Sequence, residues 1–254
     1  MGFFGKLFDK KECDLCGGEI GLLGNRKLED GNMCKTCAKK LSPWFSDRKE
    51  STVDEIRAQM AYREENKKEV ENFHVTRVLG RDHMVCLDED AGKFLVAEDK
   101  NFRDDNPDVL TFTQVTGCDL DVDEDQYEIT YTNSQGEEES YRPPRYRHTY
   151  DFYMVIRVDH PYFDTMRFRL NKSTVEGAQT SGYGNTDPTR DPDYQEYWNM
   201  GQEIKEILTQ ARQDARTAAA EAAAPKAAVT CPWCGGTSVP DANGCCQYCG
   251  GSLK

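Results

Sequence analysis

Apolar and polar residues follow different rhythms along this chain, and the changes of rhythm divide it into segments. In residues 2–11, Phe3, Phe4, Leu7 and Phe8 share one face at helical spacing, with Lys6, Lys10 and Lys11 off it. Residues 48–73 resume that spacing after Thr52-Val-Asp-Glu55, a capping-box pattern. Val53, Ile56, Met60, Val70 and Phe73 make its apolar face, and a helix bridging its two neighbours is expected. From 74 to 171 the period falls to two. Stretches 74–79, 84–87, 93–97, 109–112, 115–122, 127–131, 150–158 and 165–170 carry β-branched or aromatic residues. Cys118-Asp-Leu-Asp-Val122 and Met166-Arg-Phe-Arg-Leu170 alternate along their length. Turn signals such as Asp90-Ala-Gly92, Asn106-Pro107 and His160-Pro161 separate the strands, so 74–171 reads as one antiparallel barrel or sandwich. Residues 172–192, rich in Gly, Ser, Thr, Asn and Asp, read as a loop. A helix over 193–224 follows Asp191-Pro192; its aromatic first half is expected to dock, and its alanine-rich end to act as a spacer.

The cysteines supply the chemistry. Cys13-Asp-Leu-Cys16-Gly-Gly and Cys34-Lys-Thr-Cys37 frame residues 1–47 with the spacing of a tetrahedral Zn²⁺ site. Two short strands over 19–28 with Gly24-Asn25 at their turn, a second turn at Asp30-Gly31, and a helix opening at Cys37 would make the module treble-clef-like. Cys231-Pro-Trp-Cys234-Gly-Gly and Cys246-Gln-Tyr-Cys249-Gly-Gly repeat each other within residues 229–254, as the two halves of a zinc ribbon do. Cys245 offers a competing register. Cys246 is preferred, because only it makes C-x-x-C with Cys249. The expectation is two structural Zn²⁺, held by Cys13, Cys16, Cys34 and Cys37 and by Cys231, Cys234, Cys246 and Cys249. Cys86 and Cys118 read as small apolar residues of the sheet. The fold class is thus α+β and multi-module: a treble-clef-like zinc module, a central β barrel or sandwich, a long helix and a zinc ribbon.

Composition narrows the function. A mean hydropathy of −0.78 and 30% charged residues fit small modules joined by solvated segments better than one large core. Eleven cysteines without a signal-peptide pattern fit metal-bound thiolates in a reducing cytoplasm. A net charge of −13 argues against nucleic acid as partner, although Arg26, Lys27, Lys35, Lys39 and Lys40 leave the first module locally basic. Arg142, Arg145 and Arg147 are interleaved with Tyr141, Tyr146 and His148, and Arg157, Arg167 and Arg169 follow. Neutralising the acidic first half of the same sheet across paired strands is their expected role. Asp119, Asp121, Asp123 and Asp125 do not form a calcium loop, since Glu124 and Thr130 stand where Gly and Glu are required. His74, His83, His148 and His160 are scattered, and four-cysteine zinc leaves no open coordination position, so no catalysis and no small-molecule substrate are expected.

Residues 1–47 resemble the DUF4428 family of bacterial proteins at Cys13-Asp-Leu-Cys16-Gly-Gly, Gly21-Leu-Leu-Gly24, Asp30-Gly31, Cys34-Lys-Thr-Cys37 and Leu41-Ser-Pro-Trp-Phe45. The stretch 74–171 looks like a pleckstrin-homology or GRAM-like domain around Asn106-Pro-Asp-Val-Leu-Thr-Phe112, departing from that pattern in a long insert over 133–149. The C-terminal ribbon resembles those that end bacterial membrane-stress proteins of the phage-shock and flotillin-like kinds. Together these resemblances imply a non-catalytic adaptor or scaffold that binds protein partners or an anionic membrane surface. It would be cytoplasmic, or peripheral at the inner membrane face. A nucleic-acid-binding zinc-ribbon protein is the alternative. The apolar face of residues 2–9 either packs on the zinc module or lies in a membrane interface; its short length favours packing.

Overall fold

The computed structural model describes residues 11–99, 101–181, 187–223, 228–241 and 243–253. The helix expected over residues 2–11 therefore lies almost wholly outside the described residues. The chain divides into two compact units, one running to Gln213 and the other from Asp214.

The first unit opens with strands β1 (Lys11–Glu12), β2 (Glu19–Ile20), β3 (Arg26–Lys27) and β4 (Asn32–Met33), then the single-turn helix α1 (Lys35–Ala38). The expected turn at Gly24-Asn25 does not join β2 to β3. Instead β2 pairs with β1, and β3 pairs with β4 across the Asp30-Gly31 turn. Cys34, not Cys37, opens α1.

Helix α2 (Val53–Asn72) starts at the predicted capping box: the Thr52 hydroxyl accepts the Glu55 N–H, and the Glu55 carboxylate accepts the Thr52 N–H. Ile56 joins Ile20, Leu28, Met33 and Leu41 in one core, so the zinc module extends beyond residue 47 onto this helix. Val70 and Phe73, at its other end, pack with Met84, Cys86, Leu95 and Phe102. The buried stripe reads Ile56, Gln59, Arg63, Asn66 and Val70, helical in spacing but polar at its centre. The loop around Asp108 receives two of those polar groups, Arg63 and Asn66. The Asp108 carboxylate accepts from Arg63 Nη1 (2.7 Å), Ser42 Oγ (2.7 Å) and Tyr62 Oη (3.0 Å), while Asn66 Nδ2 donates to Pro107 O (2.7 Å).

Strands β5 (Arg77–Gly80), β6 (Met84–Asp88), β7 (Lys93–Ala97) and β8 (Leu110–Thr111) form one antiparallel meander. A second sheet is built on β9 (Val115–Thr132), β10 (Glu138–Val158), β11 (Thr165–Arg169) and β12 (Val175–Ser181), with β10 in the middle. The strands thus make two open sheets, and no barrel closes. The segment 133–149 forms the turn and the first half of β10. Four residues of β10 between Ser140 and Arg145 have no counterpart on β9. Pro143 and Pro144 fall there, and neither has an N–H to offer a ladder.

Strand β12 takes up Val175–Ser181 of the loop expected over 172–192. The composition hid it, because its pairing is decided by the free edge of β10 rather than by its own side chains. Gly177 is required in it: a Cβ there would lie 2.8 Å from the Tyr150 ring. Strands β11 and β12 share that edge, and the side chain of buried Asn171 fills the break between them. Its Oδ1 accepts the Phe152 N–H (2.8 Å), and its Nδ2 donates to Asp151 Oδ1 and Ser173 O, both at 2.9 Å.

Helix α3 (Pro192–Ala223) covers the buried face of β10, where Tyr194 meets the rings of Tyr150 and Phe152 edge-on. Gly201 lets it come close; a Cβ there would meet Leu120 Cδ1 at 2.5 Å. The acidic strand is neutralised in part as expected, by Arg157 and Arg167, whereas Arg147 pairs with Glu176 of β12 and Arg169 with Asp151 of β10 itself. Asp119 pairs with Arg157 and Lys205, and Asp123 with Arg167. In the second unit, β13 (Val229–Thr230) pairs with β14 (Thr237–Ser238).

Candidate metal centres

Three of the four C-x-x-C pairs are built alike. In the first, Gly17 N–H donates to Cys13 O (2.7 Å) and Cys13 N–H to Gly18 O (2.9 Å). The same two bonds recur from Gly235 to Cys231 and Cys231 to Gly236, and from Gly250 to Cys246 and Cys246 to Gly251. The first glycine of each has φ of +70°, +70° and +72° respectively, the left-handed region in which a Cβ is strained. The remaining pair uses a helix. Cys34 caps α1, its sulfur accepting the Cys37 N–H at 3.3 Å.

These turns bring the predicted residues together, Cys13, Cys16, Cys34 and Cys37 in one cluster and Cys231, Cys234, Cys246 and Cys249 in the other. Within each, all four sulfurs lie within 4.8 Å of one another. Cys16 and Cys34 are 3.8 Å apart, Cys231 and Cys249 3.6 Å, and Cys234 and Cys246 3.8 Å. Sulfurs around Zn²⁺ with bonds of about 2.3 Å stand about 3.8 Å apart at tetrahedral corners, whereas a disulfide needs about 2.05 Å. Each cluster can therefore hold one structural zinc ion. The sequence register also stands: Cys246 is in the cluster, while the Cys245 sulfur turns to Asn243 O at 3.9 Å.

Crowding four ionisable sulfurs has an electrostatic consequence. Burial and then the sulfurs of Cys16, Cys34 and Cys13 push the Cys37 thiol far up. Cys249, although the Gly251 N–H pulls it down, is pushed up to about 12 by Cys231 and Cys234. Cys13, against its burial, is lowered to about 6 by the N–H groups of Cys34, Leu15 and Cys16. The Ser238 hydroxyl and the N–H groups of Cys249 and Tyr248 lower Cys246 to about 6. A central dication is what allows all four to ionise together.

Outside the two clusters, His74, Asp88 and Asp90 lie within 4.8 Å of one another, but both Asp88 oxygens already accept backbone N–H groups, of His74 and Ala91. In the acidic run, Asp119 and Asp123 are held by basic partners, Arg157 and Arg167. Cys86 and Cys118 are buried in the sheets, their thiols pushed up to about 11 and about 12 chiefly by burial.

Residues 11–59 match a family model described as a domain of unknown function, DUF4428. The DUF4428 match thus ends inside α2, as the shared core with Ile56 requires. No curated protein and no solved structure matches the chain.

The surface around the clusters holds what spacing did not reveal. Among the described residues, four large apolar side chains stand out as exposed: Leu22 at 90%, Leu23 at 92%, Trp233 at 75% and Tyr248 at 74%, against 48% for the next, Val78. All four lie in zinc modules. Trp233 and Tyr248 occupy the same place in the two C-terminal C-x-x-C turns, before the second cysteine. Their signal in the sequence was the aromatic residue between paired cysteines.

Proposed function

We propose that this chain is a non-catalytic zinc-dependent adaptor whose metal-held turns present apolar side chains to partners, at or near a membrane surface. One observation carries the reading: among the described residues, the large hydrophobics with the greatest exposure are concentrated on the zinc modules. Exposing Trp, Tyr and Leu on a rigid turn lowers solubility and does nothing for the core, so it is retained where a partner covers it. Closed four-sulfur sites support a structural rather than a Lewis-acid metal. The net charge of −13 speaks against a phosphate backbone as the partner.

The test is affinity capture of intact chain from native cells, with wild type beside a Trp233→Ala/Tyr248→Ala variant of checked zinc content. Partners retained by wild type and lost by the variant support the adaptor reading. A steeply salt-dependent capture of RNA or DNA, with the protein set unchanged, refutes it.

A further inference from the structure

Leu22 and Leu23 sit at the crest of a turn that is closed from below. The Gly24 N–H donates to Gly21 O at 2.9 Å, and Arg26 Nη1 donates to the carbonyls of Leu23 (3.4 Å) and Asn25 (3.2 Å). Ile20, at its foot, is buried in the module core. The tip is therefore anchored while its two leucine side chains are almost wholly in water.

Shape and charge select the occupant. Two adjacent leucines on a convex tip need a surface that deforms around them; a folded protein would need a matching hollow, a lipid interface does not. Between Ile20 and Arg26 the only charged side chain is Arg26, and Lys11 stands opposite Ile20. Glu12 and Glu19 face each other one residue farther from the tip. The sequence of the ten residues before Lys11 carries Phe3, Phe4, Leu7 and Phe8 with Lys6 and Lys10. Apolar residues and cations in that combination match a bilayer with anionic headgroups.

We infer that the Leu22–Leu23 turn is a membrane-insertion tip that seats the first zinc module on an anionic lipid surface. This names the partner of one exposed zinc turn and so rests on the adaptor reading above. The zinc site holds the tip's scaffold, the leucines enter the acyl boundary, and Lys11 and Arg26 meet the headgroups.

The experiment is flotation of the full zinc-loaded chain with phosphatidylcholine–phosphatidylglycerol vesicles and with phosphatidylcholine vesicles alone, at rising salt. Wild type floats with the anionic vesicles and loses them as salt rises. Leu22→Ser/Leu23→Ser weakens that binding by at least about tenfold, given the apolar area withdrawn. It keeps zinc content and melting temperature, because substitutions at such exposed positions leave stability nearly unchanged. A Leu22→Trp variant shifts its emission to the blue when anionic vesicles are added. Failure of wild type to float, equal flotation of the double serine variant, or an unshifted Leu22→Trp spectrum each overturns the tip. Loss of flotation on deleting residues 2–9 alone, with the serine variant unaffected, also overturns it yet leaves a membrane role standing. The Trp233/Tyr248 capture result is independent of all of these.

Discussion

Asn171 does with one side chain what the ladder cannot do where β11 gives way to β12. Replacing it with Ala strands the buried Phe152 N–H, and the expected loss is about 1–3 kcal/mol in denaturant unfolding. Asn171→Asp keeps the acceptor but removes the donor and sets a second carboxylate beside Asp151, so its loss is larger. At the same scale, Cys245→Ser retains two zinc ions per chain by elemental analysis, whereas Cys246→Ser retains one. The eight ligands were legible because a C-x-x-C pair carries its own geometry: the turn that brings two sulfurs together is encoded in the residues between and after them. Asn171 was not, since its role depends on an interruption in a neighbouring strand's partner.

At the scale of elements, α2 shows both what local pattern gives and what it misses. Its start was readable from Thr52 and Glu55. Thr52→Ala is expected to cost about 1 kcal/mol by thermal unfolding. The Thr52 N–H, and then its hydroxyl, hold the Glu55 carboxyl below its ordinary range. Such a group stabilises above its unfolded value and stops doing so as pH falls through the lowered one. The N–H survives in Thr52→Ala and only the hydroxyl's share is lost, so the gap in melting temperature between wild type and Thr52→Ala narrows slightly as pH falls below the carboxylate range. The buried polar stripe of Gln59, Arg63 and Asn66 was invisible, because an amphipathic reading counts apolar positions and the partners of Arg63 and Asn66, among them Asp108 and Pro107, come from a distant loop. Asp108→Ala leaves the Arg63 guanidinium buried without its carboxylate, with an expected loss of about 3–5 kcal/mol. Strand β12 was missed for the same reason as the barrel was wrongly expected. Strand propensity says where extended chain is favoured, but pairing and closure are settled between segments.

For the whole molecule, each compact unit contains one zinc cluster. The first shares its core with α2, whose other end packs on the β5–β8 sheet. Cys16→Ser should therefore lower the main calorimetric transition together with zinc content, because metal binding in such a module is folding free energy. Cys249→Ser should remove one zinc ion and leave that transition in place. A shift of the main transition by Cys249→Ser would show that the units do not melt independently. No described helix is long and apolar enough to cross a membrane.

The near-repeat of the ribbon knuckles has an optical side. Trp233 lies against Gly251 of the opposite knuckle, where a Cβ would meet its ring at 2.6 Å, and Tyr248 lies likewise over Gly236 at 3.1 Å. Each aromatic thus senses whether the other half of the ribbon is in place. The other two tryptophans, Trp44 and Trp198, belong to the first unit. With those two replaced by phenylalanine, the emission of Trp233 becomes a built-in gauge of metal occupancy at the C-terminal site, readable in a cuvette without any added dye.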